Sequence, residues 1–270
     1  MIKESFCFLP GVGAKREHSF WQTGIHDWNA FLAAEKLSGM SQQTKQTCNS
    51  LLTTAHSRLL ENDADWFGSL VQLREQWRLY NHFKDQAVYL DIETDGYYGS
   101  VTVVGLYDGE QSMQFVRGQN LEKHLLEKVL ARYKMIVTFN GASFDLPILR
   151  KYFHVSTTVP HVDLRFVCQR VGITGGLKHI EQEFGIRRCD DVDGMSGGDA
   201  VMLWDSYRRT GEEKFLELLL QYNEEDVLNL PKIASQVIPK LWAQTRASER
   251  QFPPVNDAQN SDVQDHERIL

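Results

Sequence analysis

The 270-residue chain is 42% hydrophobic and 24% charged, enough apolar mass for one sizeable core with an accessory unit. Its formal net charge of −7 argues against a polycation that coats nucleic acid indiscriminately, while leaving room for a local basic groove. The four cysteines form no C-x-x-C pair, which rules out that type of zinc ribbon or redox motif, and no stretch approaches the roughly 18 apolar residues of a membrane span. Scattered reduced thiols and the lack of a targeting run make the cytoplasm the expected compartment.

Residues 1–84 read as a helical, almost neutral unit, so the acidic excess lies in the remainder. Phe20, Trp21, Ile25, Trp28, Phe31 and Leu32 recur at helical spacing, as do Leu51, Leu52, Ala55, Leu59 and Leu60. A third run takes in Trp66, Leu70, Leu73, Trp77 and Tyr80. Ahead of them, Gly11 and Gly13 make a turn that leads to Lys15 and Arg16, either a plain structural turn or a phosphate contact.

The pattern changes in the second unit, residues 85–245. Ala87–Ile92, Ser100–Tyr107 and Ser112–Val116 read as strands, the last two joined through the hairpin signal Asp108-Gly109. Leu121–Arg132 reads as a helix, Met135–Phe139 as a strand, Phe144–Tyr152 as a helix with Pro147 in its first turn, and His161–Leu164 as a fifth strand. Helical spacing then covers Leu177–Phe184, Ala200–Arg209, Glu212–Leu220 and Glu224–Leu241, with a glycine-bearing loop expected over Asp190–Asp199. The expectation is an α/β protein: a mixed sheet flanked by helices in the strand order of an RNase H-like fold, preceded by the small all-helical region. Residues 246–270 are polar and read as a disordered tail.

Three acidic signals punctuate this order. Asp91 and Glu93 lie two apart, on one face of the first strand, where their mutual repulsion calls for a cation. Asp145 falls where the fourth strand turns into a helix, a position equally suited to a helix cap. Tyr222 and Asp226, four apart, project from one helix face. Each alone has an ordinary alternative: an acidic strand end, a cap, a solvated helix residue.

Together, Asp-x-Glu, Asn-x-x-x-Phe-Asp and Tyr-x-x-x-Asp resemble the three motifs of the DEDD, or DnaQ-like, exonucleases, and the tyrosine resembles the DEDDy branch. Over about residues 86–240 the chain is most similar to the bacterial YprB-like ribonuclease H-like group, with lesser support from Gly175-Gly176-Leu177-Lys178 and Asp193-Gly194-Met195. The Leu9–Lys15 turn resembles a helix-hairpin-helix module. The resemblance implies a 3′→5′ exonuclease acting on single-stranded nucleic-acid ends. It implies two Mg²⁺ or Mn²⁺ ions held by Asp91, Glu93, Asp145 and Asp226, with Asp145 acting mainly through water, and Tyr222 orienting the attacking water. An inactive binding domain and a structure-specific endonuclease are the competing expectations. Asn140, Phe144, Lys178, Gly11, Gly13 and Lys15 are candidate substrate contacts, Lys178, Arg187 and Arg188 are candidate phosphate contacts, and Asp163 is a further candidate site carboxylate. For Phe144, core packing is the alternative; for Lys178, Arg187 and Arg188 it is a solvated charge run; for Asp163 it is a strand end or helix cap.

Overall fold

The computed structural model describes residues 1–96, 99–155 and 157–247. The expected tail lies outside them from residue 248 onward, and residues 246 and 247 belong to the last helix.

The N-terminal region is helical. Helices α1 (Ala14–Gln22), α2 (Trp28–Ala33), α3 (Gln42–Leu60) and α4 (Ala64–Leu70) lead through a 3-10 stretch, Leu73–Leu79, to the single turn α5 (Tyr80–Phe83). The run from Phe20 to Leu32 is therefore two helices. The chain breaks at Gly24, whose φ of +88° suits glycine, and restarts where Asp27 accepts the Ala30 N–H at 2.8 Å. Ser41 and Asp63 cap α3 and α4 in the same way.

The sheet follows the expected order. Strand β1 (Ala87–Thr94) pairs antiparallel with β2 (Val101–Tyr107), and β2 with β3 (Ser112–Val116). On its other side β1 pairs parallel with β4 (Met135–Thr138), and β4 with β5 (His161–Asp163), giving the order β3-β2-β1-β4-β5. Parallel neighbours need crossovers, supplied by α6 (Lys123–Leu130) and α7 (Asp145–Phe153).

Alternation along β1 sorts its side chains between two layers. Val88, Leu90 and Ile92 pack with Leu126, Leu130 and Leu149 of the crossover helices. Ala87 and Tyr89 face the opposite layer. That layer contains α8 (Leu164–Arg170), α9 (Leu177–Glu183), α10 (Gly197–Thr210) and α11 (Glu213–Ala247).

Two expectations change here. The last helical runs are one 35-residue helix, α11: residues Gln221–Asn223, left between the two runs, stay helical and bury Tyr222 and Asn223. The glycine-bearing segment is not a loop throughout: Gly197 and Gly198 open α10 behind a Ser196–Asp199 capping box, and Val192 is fully buried.

The N-terminal helices and this second layer share one core, in which Trp21, Phe31 and Phe83 join Ile233, Val237 and Leu241 of α11. A buried ion pair crosses the N-terminal region: Arg78 Nη1 donates to both Glu17 oxygens at 2.9 Å, and Glu17 also accepts the Phe6 and Cys7 N–H groups. No helix among the described residues is long and apolar enough to cross a membrane.

Candidate active site

The β1 face that carries Ala87 and Tyr89 continues to Asp91 and Glu93, beneath α11. Strand β1 runs on to Thr94, so both carboxylates lie within it rather than at its end, followed by a register shift between Glu93 and Thr94. Helix α11 brings Asp226 over them. One carboxylate oxygen from each of Asp91, Glu93 and Asp226 falls within 4.8 Å of the others. Glu93 and Asp226 are buried, and Asp91 is partly so.

Asp145 stands one step back. Pairing of β4 with β1 stops at Tyr89 and Val137, and Asp145 Oδ1 accepts the Ile92 N–H at 3.1 Å from the space beyond. It opens α7, and it is not among the three residues that meet within 4.8 Å.

The turn that delivers Asp145 is braced by Asp163, which accepts the Asn140 and Ala142 N–H groups at 2.8 and 3.0 Å while capping α8. Asn140 takes a left-handed φ of +69°, and its Oδ1 accepts from Arg165 at 2.7 Å. Gly141 has no room for a side chain: a Cβ there would lie 2.3 Å from Thr138 Oγ1. Phe144 is 42% exposed, which overturns its core-packing alternative; the turn swings Asp145 inward and Phe144 outward.

Crowded carboxylates shift one another. Burial, then Asp226, Asp145 and Glu93, raises the Asp91 carboxyl well above its ordinary value; burial, then Asp226 and Asp145, does the same to Glu93. Burial pushes Asp145 to about 7 and, against the pull of Arg188, Asp226 to about 6. What remains of this repulsion among oxygen-only ligands is what a hard divalent cation removes, so the residues present fit Mg²⁺ or Mn²⁺. Tyr222, one turn before Asp226, is 6% exposed, and burial with the three neighbouring carboxylates raises its phenol far above the usual range. It stays protonated at neutral pH.

Sequence reasoning missed several members of the site. Asn223, fully buried, donates to Asp91 Oδ2 at 2.9 Å. It reaches Asp91 because Gly105 faces Asp91 across the sheet, and a Cβ at 105 would lie 2.1 Å from Asn223 Oδ1. Arg188 does not belong to a solvated charge run. Its side chain is 3% exposed; it grips Glu181 through Nε at 2.6 Å and Nη2 at 2.8 Å, and Nη2 also bonds Asp226. Asn229 donates to the same Glu181 at 3.0 Å. Lys178 Nζ is likewise buried, 4.7 Å from the Tyr222 ring centroid, whereas Arg187 is exposed. Arg188 lies beyond the end of α9, so no helical spacing ties it to Glu181, and no sequence signal marks the pair.

The remaining candidates lie apart in sequence and setting. Gly11, with a φ of +70°, and Gly13, the residue before α1, are exposed, as is Lys15. Arg16 braces this turn, donating to Gly11 O at 2.9 Å and Gly39 O at 3.1 Å. Before the turn stands only the 3-10 turn Ile2–Glu4.

No curated protein matches the chain. A family model does: RNase_H_2, of the RNase H superfamily, covers residues 88–238, more than half of the chain and the whole carboxylate cluster. The strand order, the acidic centre and this match agree, and the chain belongs to the RNase H superfamily.

Proposed function

We propose that this chain is a metal-dependent 3′→5′ exonuclease of the DEDDy type, acting on single-stranded nucleic-acid ends. The observation that carries the reading is the convergence of Asp91, Glu93 and Asp226 within 4.8 Å, with Tyr222 one helical turn from Asp226. Two Mg²⁺ or Mn²⁺ ions, when bound, would supply the charge that stabilises the attacking and leaving oxygens of a phosphodiester.

The chain's own groups have distinct tasks. Asp91, Glu93 and Asp226 would hold the ions, and Asp145, bound to the Ile92 N–H, would contribute through water. Asn223 fixes the Asp91 carboxylate, and the Glu181–Arg188 pair fixes that of Asp226. Tyr222, its phenol neutral, orients the attacking water by hydrogen bond rather than deprotonating it. The exposed ring of Phe144 offers a stacking face for a terminal base, and Asn140 shapes the turn beneath it. The Gly11–Gly13 turn with Lys15, in the manner of a helix-hairpin-helix, is a second backbone contact for nucleic acid.

Linear single strands labelled at either end, with a circular single strand beside them, test the reading. Mononucleotide release from the 3′ end in Mg²⁺ or Mn²⁺, none in EDTA, and an intact circle are expected. Cutting of the circle would instead make the protein an endonuclease, and no cleavage of any substrate would leave a binding domain.

A further inference from the structure

Two cationic nitrogens beside the carboxylates are buried yet bond nothing among the described residues: Lys178 Nζ and Arg188 Nη1. Both side chains lie over one ring, that of Tyr222, with Lys178 Nζ 4.7 Å and Arg188 Cζ 5.7 Å from its centroid. The other nitrogens of Arg188 are committed to Glu181 and Asp226, so Nη1 alone is free to take a ligand. Lys178 makes no ion pair among the described residues. Burial and then the like charge of Arg188 oppose its ammonium, while the carboxylates of Asp226, Glu181, Asp199 and Glu93 favour it from a distance without bonding it. A buried donor without an acceptor gives up its hydration for nothing, and a charged one gives up most. Two unpartnered donors of one sign, over one ring, are the chemistry that an oxyanion bonds.

We propose that Lys178 Nζ and Arg188 Nη1 form a phosphate seat over the Tyr222 ring, holding the non-bridging oxygens of the nucleotide that is cleaved and then released. The proposal rests on the nuclease reading and deepens it by naming the protein groups that grip the phosphate. An ammonium and a guanidinium are the donors that oxyanions bind most strongly. Their place beside Tyr222 sets the phosphorus next to the phenol that orients the water. After cleavage the same groups hold the 5′-phosphate of the product, which carries nearly twice the charge of the diester.

The test is calorimetric titration of thymidine 5′-monophosphate into the full chain in Mg²⁺, with inorganic phosphate as competitor and a separate titration of Mg²⁺ alone. Lys178→Met should weaken nucleotide binding about 10- to 100-fold, as loss of a charge-assisted bond does. It should leave the Mg²⁺ titration as in the parent without lowering the melting temperature, since the buried ammonium has no partner to lose, and Lys178→Arg should largely restore nucleotide binding. Inorganic phosphate should displace the nucleotide from the parent and far less effectively compete in Lys178→Met. The seat is overturned if Lys178→Met binds the nucleotide like the parent, if it loses metal and nucleotide in parallel, or if inorganic phosphate fails to compete. A parent chain that binds neither Mg²⁺ nor nucleotide overturns the nuclease reading itself.

Discussion

Asn223 Nδ2 donates to Asp91 Oδ2 at 2.9 Å, a bond between α11 and β1 that exists only because residue 105 has no side chain. Gly105→Ala would place a methyl group 2.1 Å from Asn223 Oδ1. We expect a loss of about 1–3 kcal/mol in unfolding free energy, the usual cost of overpacking. Asn223→Ala, which leaves Asp91 without its donor, should weaken Mn²⁺ binding roughly 10- to 100-fold. Calorimetric titration and urea unfolding measure the two effects, and an Asn223→Ala protein that binds Mn²⁺ like the parent would show the bond to be incidental.

Tyr222→Phe removes one hydroxyl from a ring that Lys178 and Arg188 continue to cover. The expected outcome is a fall in single-turnover rate of roughly 100-fold, with unchanged metal affinity. A parallel fall in both would mean that the phenol serves the metal site rather than the water.

The strands were legible because β1 is a short apolar run of strand formers, β2 is β-branched and alternating, and Asp108-Gly109 marks the hairpin between β2 and β3. Tyr222 and Asp226 were legible because four residues make one helical turn. Asn223 was not, since its partner lies 132 residues away and its access depends on a glycine in another strand. Arg188 was misread because an Arg-Arg pair in polar sequence resembles a solvated surface, and only Glu181 and Asp226 draw it inward. The split between α1 and α2 was hidden for a different reason: apolar residues on both sides of Gly24 enter one core and keep a common spacing across the break.

In a chelator the acidic centre should make stability depend on pH with an unusual sign. Asp145 is raised from 3.8 to about 7 and Asp226 to about 6, while Asp91 and Glu93 are also raised. A carboxyl whose folded value exceeds its unfolded one keeps a proton on folding. Its contribution is therefore fullest below about pH 4 and is lost as the pH climbs through about 6 to 7. Thermal unfolding in EDTA should accordingly show this loss across that window, and Asp145→Asn should flatten the profile. Added Mg²⁺ should raise the melting temperature more at about pH 8 than at about pH 5, because ions and protons compete for the same oxygens. An equal Mg²⁺ effect at both values would contradict the coupling.

Arg78→Met tests the union of the N-terminal helices with the sheet. It strands Glu17, which is 1% exposed, without its cation. Breaking a buried pair on one side costs about 3–5 kcal/mol. Because the core is continuous from Trp21 to Leu241, the whole chain should melt earlier in one transition. A two-step melt with the later step unmoved would show that the sheet does not depend on the N-terminal helices.

Mn²⁺ binding followed by electron paramagnetic resonance tests the acidic centre most directly. The parent chain should bind the ion, and Asp91→Asn and Asp226→Asn, folded by circular dichroism, should lose most of that binding. Parent and variants that bind Mn²⁺ equally, or a parent that binds none, would contradict a cation site at Asp91, Glu93 and Asp226.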